Sequence, residues 1–374
     1  MLYRVHDLPA DFTKVVTEID HARDKLRFHL QQQPRRWTGL LRRSTFARAI
    51  QGSNSIEGFN VTDDDAVAAV DQEEPLDEKT EAWFAVSGYR AAMSYILQLA
   101  DDPYYVHNEG TIRSLHYMMT GYDLSKNPGR WRPGLIFVRH ELSGEVVYEG
   151  PDVELVPGLM REFVESLNAP SPHPPMVRAA LAHLNLVMIH PFSDWNGRMG
   201  RAIQTFVLAR ERILDPHFSS IEEYLGRNTQ AYYAVLAEVG QGSWNPNNDP
   251  LPWLKFCLTA HYRQAETLLR RTKETERLWT VLEEELKRRG LNDRLLGALG
   301  DAAFGYRVRN STYRKLVQVT EQTATRDLQK LVEIGFLEPR GERRARYYVA
   351  SDRLRKIWGE VQQPRIVTDP FSGT

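Results

Sequence analysis

Cysteine is almost absent from this 374-residue chain. Cys257 stands alone, which excludes an internal disulfide framework and a cysteine-based zinc site and suits a reducing compartment. An excess of charge of one sign is also missing: 48 basic and 49 acidic residues leave a formal net charge of -1. No overall field therefore draws the molecule onto nucleic acid or membrane, and any such patch has to be local. Long apolar runs are lacking too, since the most apolar segment, "AALAHLNLVMIHPF", is too short to span a bilayer. The start, "MLYRVHDLPADF", lacks the basic-then-apolar pattern of a secretion signal. There is no internal repeat, no low-complexity tract, no HExxH and no GxxxxGK(S/T), so neither a zinc protease nor a P-loop enzyme is supported. The expectation is a soluble cytoplasmic protein of two or three domains, with no membrane partner.

What is present is helical periodicity. Asp11 is expected to cap a long amphipathic stretch, with a second helix from about Trp37 and others after Thr62, in "EKTEAWFAVSGYRAAMSYILQLA" and in "TIRSLHYMMTGY". Between Pro133 and Pro151 the pattern alternates around Ser143-Gly144, which predicts a short β-hairpin. After the loop "APSPHPP" an apolar helix leads into "HPFSDWNGRMGR", followed by helices in "MGRAIQTFVLARER" and "SSIEEYLGRNTQAYYAVLAEV". From Arg271, "RRTKETERLWTVLEEELKRRG" looks like a solvated connecting helix. Beyond it the chain has the outline of a winged helix-turn-helix: a short helix, a turn, a longer helix capped at Thr320, and two strands with a glycine turn. The wing carries Arg340, Arg343, Arg344 and Arg346. The second helix offers Gln322, Thr325, Arg326 and Lys330, together with Asp327 and Glu333.

The chemistry concentrates between His190 and Arg201. A helix that stops at Pro191 and restarts after Gly197 aims backbone amides and a helix dipole at one point, where an anion such as phosphate is favoured. Asp194 could hold Mg2+ through one carboxylate oxygen in a site shared with substrate phosphates. Asn196 can donate to a phosphoryl oxygen, and Arg198 and Arg201 can meet successive phosphates. His190, held on the upstream helix, can take a proton from an incoming hydroxyl. His183 completes no metal pattern and reads as a satisfied core histidine, and Tyr232 and Tyr233 read first as helix packing.

The segment resembles the signature of Fic-domain proteins, HxFx(D/E)GNGRxxR, at His190, Phe192, Asp194, Asn196, Gly197, Arg198 and Arg201. The hairpin is similar to that family's flap, and "SNSIEG", from Ser53 to Gly58, is similar to the inhibitory motif (S/T)xxxE(G/N) of one Fic class. The resemblance implies a mainly α fold: an N-terminal helical segment with the inhibitory motif (1–105), a Fic core with its β-hairpin flap (106–270), a connecting helix (271–290) and a winged helix-turn-helix with a tail (291–374). It implies autoinhibited AMP transfer from ATP, with Mg2+, to a Ser, Thr or Tyr hydroxyl of a target protein. His190 would be the base, Asp194 the metal ligand and Phe192 the loop anchor. Asn196, Gly197, Arg198 and Arg201 would cradle the phosphates, Asn228 and Tyr232 would lie near adenine, and Ser53 and Glu57 would inhibit, with Glu57 pairing to Arg201. The flap, around Val138 to Val147, would receive the target as an added strand. Hydrolytic removal of AMP, and a nucleotide-sensing regulator that binds DNA through the winged helix, stay open, as does a homodimer.

Trp195 departs from the pattern. The family has a small residue there, and glycine tolerates backbone conformations that tryptophan resists. The indole could block the cradle, or be harmless if φ is negative and the ring points outward or packs on the nucleotide. Doc-type kinases of the family alter the following Gly-Arg pair, whereas Gly197 and Arg198 are kept, which favours nucleotidyl transfer.

Overall fold

In the computed structural model, which describes residues 1–31, 36–75, 79–139, 144–212, 216–342 and 346–372, the N-terminal periodicity becomes five helices: α1 (Ala10–Gln31), α2 (Arg36–Ser55), α3 (Asp63–Val70), α4 (Glu81–Asp101) and α5 (Glu109–Thr120). Side chains start three of them: Thr62, Thr80 and Asn108 accept from the amides of Asp65, Trp83 and Thr111. Asp11 does not cap α1; it lies inside the first turn, where its charge still suits the helix dipole. The hairpin pairs β1 (Phe137–Arg139) with β2 (Val146–Glu149), antiparallel, with Val138 opposite Tyr148. The expected turn residue Ser143 lies outside the described residues.

The middle of the chain folds as α6 (Val156–Asn168), α7 (Pro175–Ile189), α8 (Asn196–Arg210), α9 (Pro216–Ser219), α10 (Glu222–Arg227) and α11 (Thr229–Gly240). Helix α6 was not anticipated. Pro157 in its first turn looks like a breaker, but an N–H there has no intrahelical partner to lose. Val156, Leu159, Met160, Phe163 and Leu167 then form its buried face. Helix α7 is apolar on nearly every side and packs against α8, α6 and the next helix, α12 (Leu251–Arg288).

The stretch from Arg271 is not a solvated connector. It is the second half of the continuous 38-residue α12, and Thr272, Thr275, Leu278, Trp279, Leu282 and Leu286 are buried there. They face α13 (Leu296–Ala303) and α16 (Asp352–Val361), alongside α14 (Asn310–Val317), α15 (Glu321–Glu333), β3 (Leu337–Arg340) and β4 (Tyr347–Ala350). Strands β3 and β4 pair antiparallel from Leu337 opposite Ala350 to Arg340 opposite Tyr347. Thr320 caps α15 as expected. Asp327 is not on its outer face: it is buried, and its carboxylate accepts from Arg294 at 2.7 and 2.8 Å and from the Tyr313 hydroxyl at 3.0 Å. Arg340 and Arg346 are exposed, while Arg343 and Arg344 lie outside the described residues.

Among the described residues two large hydrophobic cores result, with a small third cluster of Ala47, Ala66, Val67 and Tyr306. One large core is built around α7 and α8; the other joins the second half of α12 to the C-terminal elements. Helix α2 contributes to both, with Phe46 and Ile50 in the first and Trp37, Leu40 and Leu41 in the second. Among the described residues no helix is long and apolar enough to cross a membrane.

Candidate active site

Helix α7 ends at Ile189, and His190 caps it in the left-handed region (φ 50°, ψ 57°) rather than continuing it. Pro191 prevents another turn. The ring is nevertheless fixed, because its Nδ1 lies 3.0 Å from the Val187 carbonyl. A carbonyl only accepts, so Nδ1 carries the hydrogen and Nε2 keeps its lone pair. Burial pushes the His190 pKa down to about 4, so the imidazole is neutral at pH 7.

Helix α8 restarts at Asn196, ahead of Gly197 rather than after it. The loop between is held by side chains that sequence reasoning assigned elsewhere or missed. Asn196 is buried, and its amide bridges the Phe192 backbone, accepting from N at 3.0 Å and donating to O at 2.9 Å. It staples the loop instead of projecting toward a phosphate. Phe192 is fully buried and stacks on His116 at 3.8 Å, as an anchor would. His116 also donates through Nε2 to the Asp194 carbonyl at 3.2 Å. Arg132 donates through Nε to the His190 carbonyl at 2.9 Å, and its amide donates to the Pro191 carbonyl at 2.8 Å. Tyr148 of β2 donates to the Met188 carbonyl at 2.7 Å, so the hairpin is fastened to the end of α7. His116, Arg132 and Tyr148 carry no motif; their partners are backbone carbonyls distant in sequence.

Asp194 accepts from the Trp195 amide through Oδ1 at 2.7 Å. Its side chain is 49 % exposed, with Oδ2 at 3.7 Å from Lys126 Nζ. Among the described residues no group of three or more His, Cys, Asp or Glu could hold a metal by itself. A Mg2+ ion shared with substrate phosphates needs only one or two protein carboxylates, and Asp194 fits that donor set.

Arg201 is fully engaged. Its Nε donates to Ser53 Oγ at 2.8 Å, and its Nη2 to the Ser53 carbonyl at 2.9 Å and to Glu57 Oε1 at 2.8 Å. Burial alone would raise the Glu57 carboxyl, but Arg201 and Arg198 outweigh it and hold the pKa below its ordinary value. Glu57 also fills the space beside Gly197: a Cβ on that glycine would collide with Glu57 Oε1. Behind Arg201, the buried Glu222 accepts from Tyr89 and Thr205, two further contacts that no motif announced.

Tyr232 is a core residue rather than an open ring: it is 1 % exposed, and its hydroxyl meets His183 Nε2 at 3.0 Å and Arg201 Nη1 at 3.4 Å. His183, as expected, is satisfied, with Gln204 on its other nitrogen. Asn228 donates to the Tyr224 carbonyl at 2.7 Å and joins α10 to α11. Trp195 has φ +65° rather than a negative φ, and its indole does not point outward: it is turned into the protein, 2 % exposed.

A loop between two helices that aims first-turn amides, two arginines, a half-exposed carboxylate and a neutral histidine at one point is equipped for phosphoryl or nucleotidyl chemistry. The Fic/DOC family model matches residues 107–208, which contain this loop, so the chain carries a Fic/DOC domain. Over 198 residues the chain is 27% identical to a protein adenylyltransferase Fic from Nematostella vectensis, covering 53% of this chain and 45% of that one. It is 28% identical over 96 residues to a probable protein adenylyltransferase from Aquifex aeolicus, covering 26% and 28%. The chain thus spans less than half the length of these curated relatives. Among solved structures, a Fic family protein from Desulfovibrio desulfuricans superposes with a TM-score of 0.60 at 22% identity, covering 93% of this chain and 98% of that one. Fic-1 from C. elegans superposes with a TM-score of 0.57 at 20% identity, covering 70% and 72%. The chain is mainly helical with Fic-fold neighbours.

Proposed function

We propose that this protein transfers AMP from ATP to a hydroxyl of a target protein, itself included, and that Glu57 restrains the reaction. The observation that carries the reading is the pairing of His190, neutral with a free Nε2, with the anion-seeking first turn of α8. His190 would take the proton of the attacking hydroxyl as its oxygen bonds to the α-phosphorus, with pyrophosphate leaving. The first-turn amides of α8 would receive the α-phosphate, and Arg198 and Arg201 the outer phosphates. Asn196 and Phe192 would act by holding the loop. Asp194 would hold Mg2+, which supplies charge neutralisation on the phosphates. Residues 1–105 would form the regulatory segment, with Ser53 and Glu57 occupying Arg201, and the hairpin would present the target.

The test is label transfer from α-labelled ATP. Glu57→Gly is expected to raise auto-modification at least tenfold, since the carboxylate then no longer competes with phosphate for Arg201. Adding His190→Ala should remove about 10²–10⁴-fold of that rate while ATP binding persists. Equal rates for wild type and Glu57→Gly would remove the inhibitory assignment, and an active His190→Ala enzyme would remove the mechanism.

A second reading concerns the C-terminal elements. With Asp327 turned inward, the exposed face of α15 presents Gln322, Arg326, Gln329 and Lys330, which suits contact with duplex DNA from a winged helix-turn-helix. Lys330 and Arg340 are partly engaged by Glu333 and Glu338. A salt-dependent mobility shift of duplex DNA would support it, and no shift at low salt would exclude it.

A further inference from the structure

Arg198 is a buried cation without an ion pair among the described residues. It is 1 % exposed, its hydrogen bond to Asn54 Oδ1 is long at 3.5 Å, and its Nε has no partner. Burial pushes its pKa down to about 10. Its neighbours are aromatic: Cζ lies 3.1 Å from the centroid of the Trp195 indole and 4.6 Å from that of Phe59. The two rings, 6.0 Å apart at 44°, form a corner that receives the guanidinium.

Trp195 occupies this corner under two penalties. Its backbone is in the left-handed region, which strains a bulky residue, and its indole N–H is buried without a partner. No hydrogen bond therefore explains the side chain. What it offers is a π face beneath a guanidinium that feels the Glu57 charge but makes only one long hydrogen bond and no ion pair among the described residues. Phe59 reaches the same guanidinium from the turn that carries Glu57, two residues away.

We infer that Trp195 is a positioning residue, whose indole holds Arg198 at the start of α8 to grip a polyphosphate, and that Phe59 closes the same guanidinium off in the resting state. The inference rests on the reading of this loop as a triphosphate cradle. The two rings act with opposite sign. Losing the Trp195 face weakens polyphosphate binding, and losing Phe59 strengthens it. Removal of Glu57 alone frees Arg201 and leaves Arg198 covered.

The experiment is calorimetry on the full chain in the Glu57→Gly background, titrating tripolyphosphate, ATP and AMP, each with Mg2+. Trp195→Phe keeps an aromatic face; Trp195→Leu keeps an apolar side chain under the same backbone strain without one. The phenylalanine variant should bind tripolyphosphate and ATP within about threefold of its parent, and the leucine variant about tenfold more weakly. AMP, which lacks the outer phosphates, should be unaffected. Phe59→Leu, on a partly buried side chain, should tighten tripolyphosphate about threefold and tests the second half however the Trp195 variants fold. Equal binding by the leucine and phenylalanine variants, a parallel loss of AMP, or tighter binding by Trp195→Leu would overturn the positioning role. An unchanged or weaker Phe59→Leu would overturn the closing role. Should tripolyphosphate follow the expected pattern while ATP does not bind, the adenylyl-transfer reading falls and the positioning role stands. No binding by any anion would sink both.

Discussion

His190 can serve as a base only while its Nε2 is unprotonated, and two features protect that state: the Val187 carbonyl fixes the tautomer and burial depresses the pKa to about 4. The acid limb of the rate profile is therefore expected near pH 4, well below the 6.5 of a free histidine. Initial rates of label transfer in Glu57→Gly across pH 4 to 8 check this, and a limb at 6.5 would mean that the imidazole is solvated in the working enzyme. Asn196 acts on the same loop from the other side. Asn196→Ala leaves the buried N–H and C=O of Phe192 unpaired, and about 1–3 kcal/mol of stability should be lost, read as a lower urea midpoint with most transfer activity gone. The motif residues were all legible in the sequence, because the chemistry of anion binding dictates their types and spacing. Their orientations were not. That Asn196 turns onto the Phe192 backbone, Tyr232 into the core against His183 and Trp195 under Arg198 is set by backbone geometry and packing that no spacing encodes. His116 and Arg132 were invisible for the same reason, since they bond to carbonyls 78 and 58 residues away.

Helix α2 joins the site to the C-terminal elements. Its far end carries Ser53 and leads into Glu57, while nearer its start Arg43 bonds to Asp71, at 3.2 Å, and to Asp301 of α13. Tyr306 adds a hydrogen bond to Ser44 at 2.8 Å. Removing one partner from a buried ion pair leaves the others desolvated and uncompensated, so Arg43→Ala should lower the unfolding free energy by about 3–5 kcal/mol in urea titrations. The same variant should raise auto-modification, because α2 would no longer be clamped at both ends. A stability loss with no rise in labelling would show that its two ends act independently. Most element types followed from periodicity, and α3 and α15 begin at the threonines expected, Thr62 and Thr320. The failure at the C-terminal half of α12 has a different cause from that at α6, where a first-turn proline hid the helix. The second half of α12 is charged enough to look solvated, yet Leu278, Leu282 and Leu286 lie on one face, and whether that face meets water or protein is decided by segments that follow it and by α2.

At the scale of the whole molecule, buried histidines set the response to acid. Burial pushes His107, His116 and His190 down to about 4 and His183 to about 3. The unfolded chain takes up these protons near pH 6.5, the folded chain only near 4 or 3, so the unfolded state binds more protons in between. Stability therefore falls as the pH drops from about 6.5 toward 4. Asp71 works in the opposite direction. Burial raises its pKa to about 6, so the folded state binds its proton first and gains stability as the pH falls from 6 toward 4. At about 1.4 kcal/mol per pKa unit, these four histidines alone cost on the order of 10 kcal/mol by pH 4, and His261, also pushed down by burial, adds to the loss, while Asp20, Asp64, Glu222 and Asp301, raised like Asp71, offset part of it. That is comparable to the whole stability of an ordinary domain, about 5–15 kcal/mol. Thermal melts at pH 7.5, 6 and 5 are accordingly expected to show a falling midpoint, with acid unfolding between pH 4 and 5. A constant midpoint over that range would mean that these histidines reach water in the folded protein, and the neutral, buried His190 on which proton transfer depends would go with them.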